Sequence, residues 1–147
     1  MKTMNKKSFI RKIALLLSVL SAVMLFASCG ESEGNGKYGK YEVEITEFYI
    51  EDNWSNSLRV IYTFTNNSGS KTNFDDCFDD AVYQNGAALP YDYDFENYFD
   101  DIKPGATADV LVSYDITNTT DDIEIEICAD GKDKVILSKT YSLTDSE

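Results

Sequence analysis

The sequence predicts an all-β domain, an immunoglobulin-like antiparallel β-sandwich preceded by a helical signal peptide and a flexible linker. Apolar and polar residues alternate through most of the chain after residue 40, which is the period of half-buried strands. Turn signals recur about every ten residues, which favours roughly seven short strands. No amphipathic helical pattern of useful length interrupts this region.

The individual strands follow from where the alternation begins and ends. From residue 41, apolar residues take every second position up to Ile45, and then Phe48 and Ile50 continue on the other parity. Such a phase slip predicts one extra residue, a β-bulge, near residues 46–47. The same alternation predicts further strands around residues 58–64, 81–84, 106–116, 123–127 and 135–143.

Three short segments between these strands carry turn chemistry. Residues 66–69 read Asn-Asn-Ser-Gly, a cluster of turn formers. Asn85-Gly86 is a strong two-residue hairpin signal. Pro104-Gly105 suits a type II turn, because proline fixes φ and glycine accepts a positive φ. These turns reverse the chain between neighbouring strands, as an antiparallel sandwich requires.

Residues 1–28 are predicted to be a lipoprotein signal peptide. The first twelve residues contain five basic side chains and no acidic one, and the following apolar run at 13–26 is broken only by two serines. A basic head, an apolar middle and small residues before the cleavage site are typical of export signals. The apolar run is shorter than the roughly 20 residues that span a bilayer.

Cys29 is the most specific feature of this N-terminus. The segment Leu-Phe-Ala-Ser-Cys at 25–29 resembles the bacterial lipobox, in which the thiol accepts a diacylglyceryl group and the cysteine becomes the new N-terminus. Phe26 departs from the aliphatic residue usual at its position. Acyl chains such as palmitate anchor a protein by burying methylene groups. We therefore expect lipidation at Cys29 and a location on the extracytoplasmic face of the cell membrane.

Charge and composition limit the classes of partner that the exported part can bind. The chain has 13 basic and 26 acidic residues, and cleavage before Cys29 would leave 8 and 26, a net charge of −18. So acidic a surface repels nucleic acids. The chain has no histidine, the commonest metal ligand and general base. We expect no cofactor and no nucleic-acid partner, and we expect a monomer.

The exported part is predicted to consist of a tether and one domain. Residues 29–40 comprise the lipidated cysteine and a glycine-rich polar stretch without hydrophobic period, which indicates a flexible tether. Residues 41–147 are long enough for one domain of ordinary size and contain the apolar and aromatic residues of a core.

Several motifs together resemble a known family. They are Tyr-Thr-Phe-Thr-Asn-Asn-Ser at 62–68, Ala-Val-Tyr-Gln-Asn-Gly at 81–86 and Ile-Lys-Pro-Gly-Ala at 102–106, in this order behind a lipobox. The chain resembles, over roughly residues 40–143, the domain-of-unknown-function family numbered 5067, found mostly in Gram-positive bacteria. The resemblance implies an immunoglobulin-like lipoprotein at the cell surface and assigns no activity. At 74–80, where family members are often apolar, this chain is acidic.

The region from 74 to 101 is unusually rich in both carboxylates and aromatic rings. Three interpretations are open: a calcium site, because clustered aspartates supply the oxygen ligands that calcium needs; a glycan- or peptide-binding face, because gathered aromatic rings mark interaction surfaces; or a structural connection without a ligand. The spacing of an EF-hand is absent. The candidate ligand- or calcium-binding residues are Asp75, Asp76, Asp79, Asp80, Tyr91, Asp92, Tyr93 and Asp94.

Two further predictions concern the thiols and catalysis. Cys77 and Cys128 are a candidate disulfide, because export permits one, although Cys128 shares its strand parity with two glutamates and should point outward. Serine nucleophiles lack a histidine partner, so we expect no enzyme activity. The predicted function is a surface-anchored, non-catalytic binding module with an unidentified protein or glycan ligand. The alternatives are a cell-wall glycan hydrolase with a carboxylate pair and a calcium-stabilised structural domain.

Overall fold

The computed structural model describes residues 35–52, 56–129, 131 and 134–144. Cys29, the predicted signal peptide and residues 30–34 lie outside the described residues. The described strands are β1 Asn35–Tyr38, β2 Tyr41–Asp52, β3 Asn56–Asn66, β4 Phe78–Gln84, β5 Ala87–Ala88, β6 Tyr91–Glu96, β7 Ala106–Asp115, β8 Ile123–Ala129 and β9 Val135–Tyr141. Among the described residues, no helix could cross a membrane.

Two antiparallel sheets form a sandwich, which confirms the predicted fold class. One sheet has five strands in the order β1-β2-β3-β7-β6, and the other has four in the order β5-β4-β8-β9. The described strands outnumber the predicted ones because β1, β5 and β6 lie in segments for which no strand was predicted. The Asn85-Gly86 hairpin joins β4 to β5, and both of its residues have positive φ.

The core lies between the sheets and is built from alternate residues of the central strands. In β8, Ile123, Ile125 and Ile127 are fully buried, whereas Glu124 is exposed. Each buried side chain of this size contributes roughly 1.5–3 kcal/mol. Three aromatic rings fill one end of the core with centroids 5.6–6.0 Å apart, those of Phe64, Phe74 and Phe78.

The predicted bulge in β2 is present. The register against β3 shifts between Ile45 and Glu47, so that Thr46 is the extra residue. Ile45 lies opposite Tyr62 before the bulge, and Phe48 lies opposite Val60 after it. The extra residue therefore keeps the apolar positions of β2 on the core side although their parity changes along the chain.

The predicted tether is wrong in its second half. Residues 35–38 form β1, which pairs with β2 from Asn35 opposite Glu44 to Tyr38 opposite Tyr41. An added Cβ at Gly36 would stand 3.2 Å from the Ile136 Cδ1 and Leu137 Cβ atoms of β9. The glycine that suggested flexibility instead permits close packing of β1 against β9.

The structure contains no disulfide between the two candidate cysteines. The register pairs Phe78 with Ala129 and Asp79 with Cys128, so Cys77 lies outside the β4–β8 ladder. Cys77 is buried in the turn before β4 with its Sγ 3.2 Å from Thr72 Oγ1, and no disulfide joins it to Cys128. Cys128 lies on the outer side of its strand, half-buried, as its parity indicates.

Candidate functional site

The structure distributes the eight candidate residues over three places. Asp75 and Asp76 lie exposed in the turn before β4, Asp79 and Asp80 point to opposite sides of β4, and residues 91–94 belong to β6 in the other sheet. Within the described ranges, no three acidic or cysteine side chains come close enough to hold a metal ion. The structure therefore does not bring these eight residues together as one calcium site.

Asp80 points into the core and is surrounded by tyrosine hydroxyls. Its side chain is only 5% exposed. Tyr98 donates a hydrogen bond to Oδ1 at 3.0 Å, Tyr114 donates to Oδ2, and Tyr91 donates to the Asp80 carbonyl oxygen at 2.8 Å. Asp80 belongs to the four-stranded sheet, whereas Tyr91 and Tyr114 belong to the five-stranded one. This tyrosine cage therefore links the two sheets through polar contacts inside an apolar core.

The electrostatics of the cage follow from its burial. Desolvation raises the pKa of Asp80, and the tyrosine hydrogen bonds, which favour the carboxylate, only partly oppose it. Burial together with the charge of Asp80 raises the pKa of Tyr91 and of Tyr98. The tyrosines therefore stay protonated and act as hydrogen-bond donors. The core encloses Asp80, and its hydrogen bonds connect the two sheets.

The hydrolase alternative needs a pair of carboxylates facing a cleft. In the described part of the chain, Asp80 is the carboxyl group with a resolved rise in pKa, and the core encloses it. One surface depression lies on β1–β3, and another lies around residues 83–86 and 120–124. Neither depression contains any of the candidate aspartates. The geometry gives the hydrolase interpretation no support.

A wide bulge in β6 places the other candidates. Tyr91 lies opposite Tyr114 and Phe95 opposite Val112, so the three residues Asp92, Tyr93 and Asp94 face the single residue Ser113 of β7. Tyr93 has φ of 55°, which is uncommon for a bulky residue. Its side chain is 86% exposed. The bulge thus projects an aromatic ring into solvent at the edge of the sheet.

Both aspartates of the bulge are bound to the outer face of the five-stranded sheet. Asp92 accepts a hydrogen bond from Ser57 Oγ at 2.7 Å. Asp94 accepts one from Arg59 Nη1 at 2.5 Å, and the Nε of the same arginine donates to Glu51 at 2.6 Å. The bulge is therefore held by side chains of β3.

Arg59 is the centre of this arrangement. Its strand position lies between Tyr49 of β2 and Ser113 of β7, and its guanidinium binds carboxylates from β2 and β6. Burial acts to lower its pKa, but the hydrogen bonds and charges of Asp94 and Glu51 outweigh burial and raise it. The Ser113 hydroxyl is fully buried and has no hydrogen-bond partner among the described residues.

Sequence reasoning missed Arg59, Tyr49 and Phe99. Arg59 is the only basic residue between positions 41 and 70, and it occupies an outward parity in an acidic chain, which was a usable signal. Tyr49 is 40% exposed and directly opposite Arg59. Phe99 is 60% exposed in the turn after β6, with its ring 4.8 Å from that of Tyr98.

A family model confirms the resemblance seen in the sequence. The model for the domain of unknown function DUF5067 matches residues 28–128. The chain belongs to this family. No curated protein matches it.

Two solved structures share the fold of this DUF5067 member. A candidate lipoprotein from Staphylococcus aureus subsp. aureus NCTC 8325 is 18% identical with a TM-score of 0.60, and the match covers 76% of this chain and 89% of that one. An uncharacterized β-sandwich protein from Clostridium difficile 630 is 11% identical with a TM-score of 0.52, covering 75% and 89%. At these identities the likeness shows the fold alone.

Proposed function

We propose that this protein is a lipid-anchored bacterial surface protein, attached through Cys29 at the extracytoplasmic face of the membrane, whose sandwich domain is a non-catalytic binding module. The lipobox-like segment supports the anchor, as does the structural likeness to a candidate lipoprotein of Staphylococcus aureus. The partner-contacting surface in this proposal is the outer face of the five-stranded sheet at the β6 bulge.

The conformation of Tyr93 is the observation that carries the binding proposal. A bulky residue at positive φ costs roughly 1–3 kcal/mol, and such strain clusters at functional sites. Here the strain goes together with an aromatic ring that is 86% exposed, although a core position would have stabilised the fold. The hydrogen bonds of Asp92 and Asp94 hold the bulge in place. A strained residue that adds nothing to the core is expected to serve recognition.

The anchor is tested on the mature N-terminus. Mass spectrometry of the protein purified from a Gram-positive host should find an acylated Cys29 as the first residue. The Cys29→Ala variant should lose both the acyl mass and its membrane association. An unmodified N-terminus at another residue would contradict the anchor without affecting the binding proposal.

The binding surface is tested by site-specific photo-crosslinking. A photoreactive phenylalanine analogue is placed at Tyr93 of the full-length protein on intact cells. The matched control carries it at Val135, which is 44% exposed on β9 of the other sheet. A discrete adduct at position 93 and none at 135 is the expected result. Adducts of equal yield at both positions, or none at 93, would rule out this surface.

A further inference from the structure

Resting on the proposed function, the geometry points to the class of partner: we infer that the outer face at the β6 bulge binds a polypeptide segment rich in lysine and arginine with apolar residues along one side. The face consists of an apolar floor between two rows of carboxylates. The floor is Ile61 and Leu111, and the rows are Glu47 with Glu51 on β2 and Asp94 with Glu96 on β6. We call this the acid-walled face.

The strand register places these residues side by side. Glu47 lies opposite Ile61, Ile61 opposite Leu111, and Leu111 opposite Glu96, so one row across four strands is acidic at both ends and apolar in the middle. Ile61 and Leu111 are half-buried and keep apolar surface in contact with solvent. A partner that covers them gains hydrophobic stabilisation, which supplies an attraction beyond charge alone.

The charge of this face favours a cation. The face contains four carboxylates and one guanidinium, that of Arg59. Glu51 and Asp94 already bind this guanidinium. Glu47 and Glu96 are exposed, and neither makes an ion pair with a described residue. These two carboxylates remain available to a partner. Tyr49 and Tyr93 stand exposed at the two sides of the face, and tyrosine rings attract lysine and arginine.

The width of the face favours a single segment of chain. Three strand spacings separate the β2 row from the β6 row, about 14 Å. A helix with its side chains is about 10–12 Å across, so one helix or one extended strand fits between the rows. Apolar residues would rest on Ile61 and Leu111 while basic side chains reach Glu47 and Glu96.

The test uses the full-length lipoprotein in nanodiscs of zwitterionic lipid. The probe is a fluorescent amphipathic peptide of leucine and lysine, with a matched peptide in which glutamate replaces lysine, and binding is followed by anisotropy against empty nanodiscs. We expect the lysine peptide to bind and the glutamate peptide not to bind. Failure of the lysine peptide to bind, or tighter binding of the glutamate peptide or of a neutral chitooligosaccharide, would overturn the inference.

Paired double variants locate the binding. Glu47→Gln with Glu96→Gln should weaken lysine-peptide affinity roughly tenfold, because two exposed ion pairs are lost. Glu124→Gln with Glu126→Gln removes equal charge from β8 of the other sheet and should leave the affinity unchanged. Equal weakening by both doubles would mean general charge attraction and would refute the site. A crosslink at position 93 without lysine-peptide binding would refute the cationic partner and leave the proposed function standing.

Discussion

Asp80 and Asp94 come from the same acidic aromatic segment, yet they end in opposite surroundings. Asp80 lies inside the core, where neutral tyrosine hydroxyls donate hydrogen bonds to its carboxylate. Asp94 lies on the outer face, where it binds the charged Arg59. The first carboxylate joins the two sheets, and the second holds a bulge that exposes Tyr93. Acidity alone therefore does not mark a binding site. The partner of each carboxylate decides whether it stabilises the fold or shapes a surface.

The largest difference between the two regions should appear when Asp80 is removed. Asp80→Ala leaves two buried tyrosine hydroxyls without their acceptor, and each loss costs about 1–3 kcal/mol. We expect a loss of roughly 3–5 kcal/mol in the free energy of unfolding, measured by urea titration. The matched control is Asp79→Ala, the exposed neighbour on β4, which should stay within about 0.5 kcal/mol. Equal losses would show that the cage does not link the sheets.

The pH dependence of stability should reveal the buried state of Asp80. The pKa of Asp80 in the folded protein lies above its ordinary value of 3.8 because of burial. Its contribution is therefore fully present below the unfolded value and is lost as the pH rises through the folded value. Relative to Asp80→Asn, which does not titrate, the wild type should lose at most about 1.4 kcal/mol per pH unit across that window.

Urea titrations of both proteins between pH 3 and pH 7 give this difference. Asp121, whose pKa is lowered by hydrogen bonds from Asn85 and Asn118, is present in both proteins and cancels. A difference that is flat with pH, or that grows in favour of the wild type as pH rises, would contradict the buried state of Asp80.

Breaking the outer arrangement should cost less than breaking the cage. Arg59→Gln removes the cation between Glu51 and Asp94, and we expect a loss of about 1 kcal/mol because this pair is only partly buried. Lys71→Gln is the control, because Lys71 stands 3.9 Å from Asp101 with both side chains exposed. Its loss should stay below about 0.5 kcal/mol. Thermal unfolding of both variants measures the difference, and an unchanged melting point for Arg59→Gln would show that the arginine does not hold the bulge.

The smallest effect has the opposite sign. Tyr93→Asn replaces a bulky residue at positive φ with one that tolerates this conformation, so the free energy of unfolding should rise by about 0.5–1 kcal/mol. The affinity for the lysine peptide, measured by fluorescence anisotropy, should fall in the same variant because the exposed ring is lost. Tyr38→Asn, at an exposed site without positive φ, should show neither change. If Tyr93→Asn is stabilised but binds the lysine peptide as tightly as the wild type, the strained conformation of Tyr93 does not serve binding.

The strand pattern was the part of the fold that the sequence predicted best. Burial of one face per strand requires apolar residues at every second position. A change of parity in that pattern therefore predicted the β2 bulge. β1 was missed because Gly36 and its polar neighbours have no hydrophobic period. It pairs with β2, and Gly36 packs against the Ile136 and Leu137 side chains of β9. Asp80 shares its parity with Phe78 and Val82, so its inward direction was readable too.

The β6 bulge could not be predicted from the residues of β6 alone. Tyr91, Tyr93 and Phe95 alternate with acids as in a regular strand, yet Tyr91 and Phe95 face the core and Tyr93 faces solvent. The cause is distant in the chain, because the Arg59–Asp94 bond joins residues 35 positions apart. A pattern within one strand carries no information about such a partner.

The bulge has a last consequence for how copies of this protein coexist. A regular strand at the edge of a sheet offers a row of backbone groups that another chain can extend into a fibre. β6 interrupts that row with three unpaired residues, and β5, at the edge of the other sheet, is only two residues long. Neither of these two edge strands offers a long regular template, whereas β1 and β9, at the opposite edges of the two sheets, are 4 and 7 residues long. Addition of a strand from a second copy is therefore disfavoured at the β5 and β6 edges.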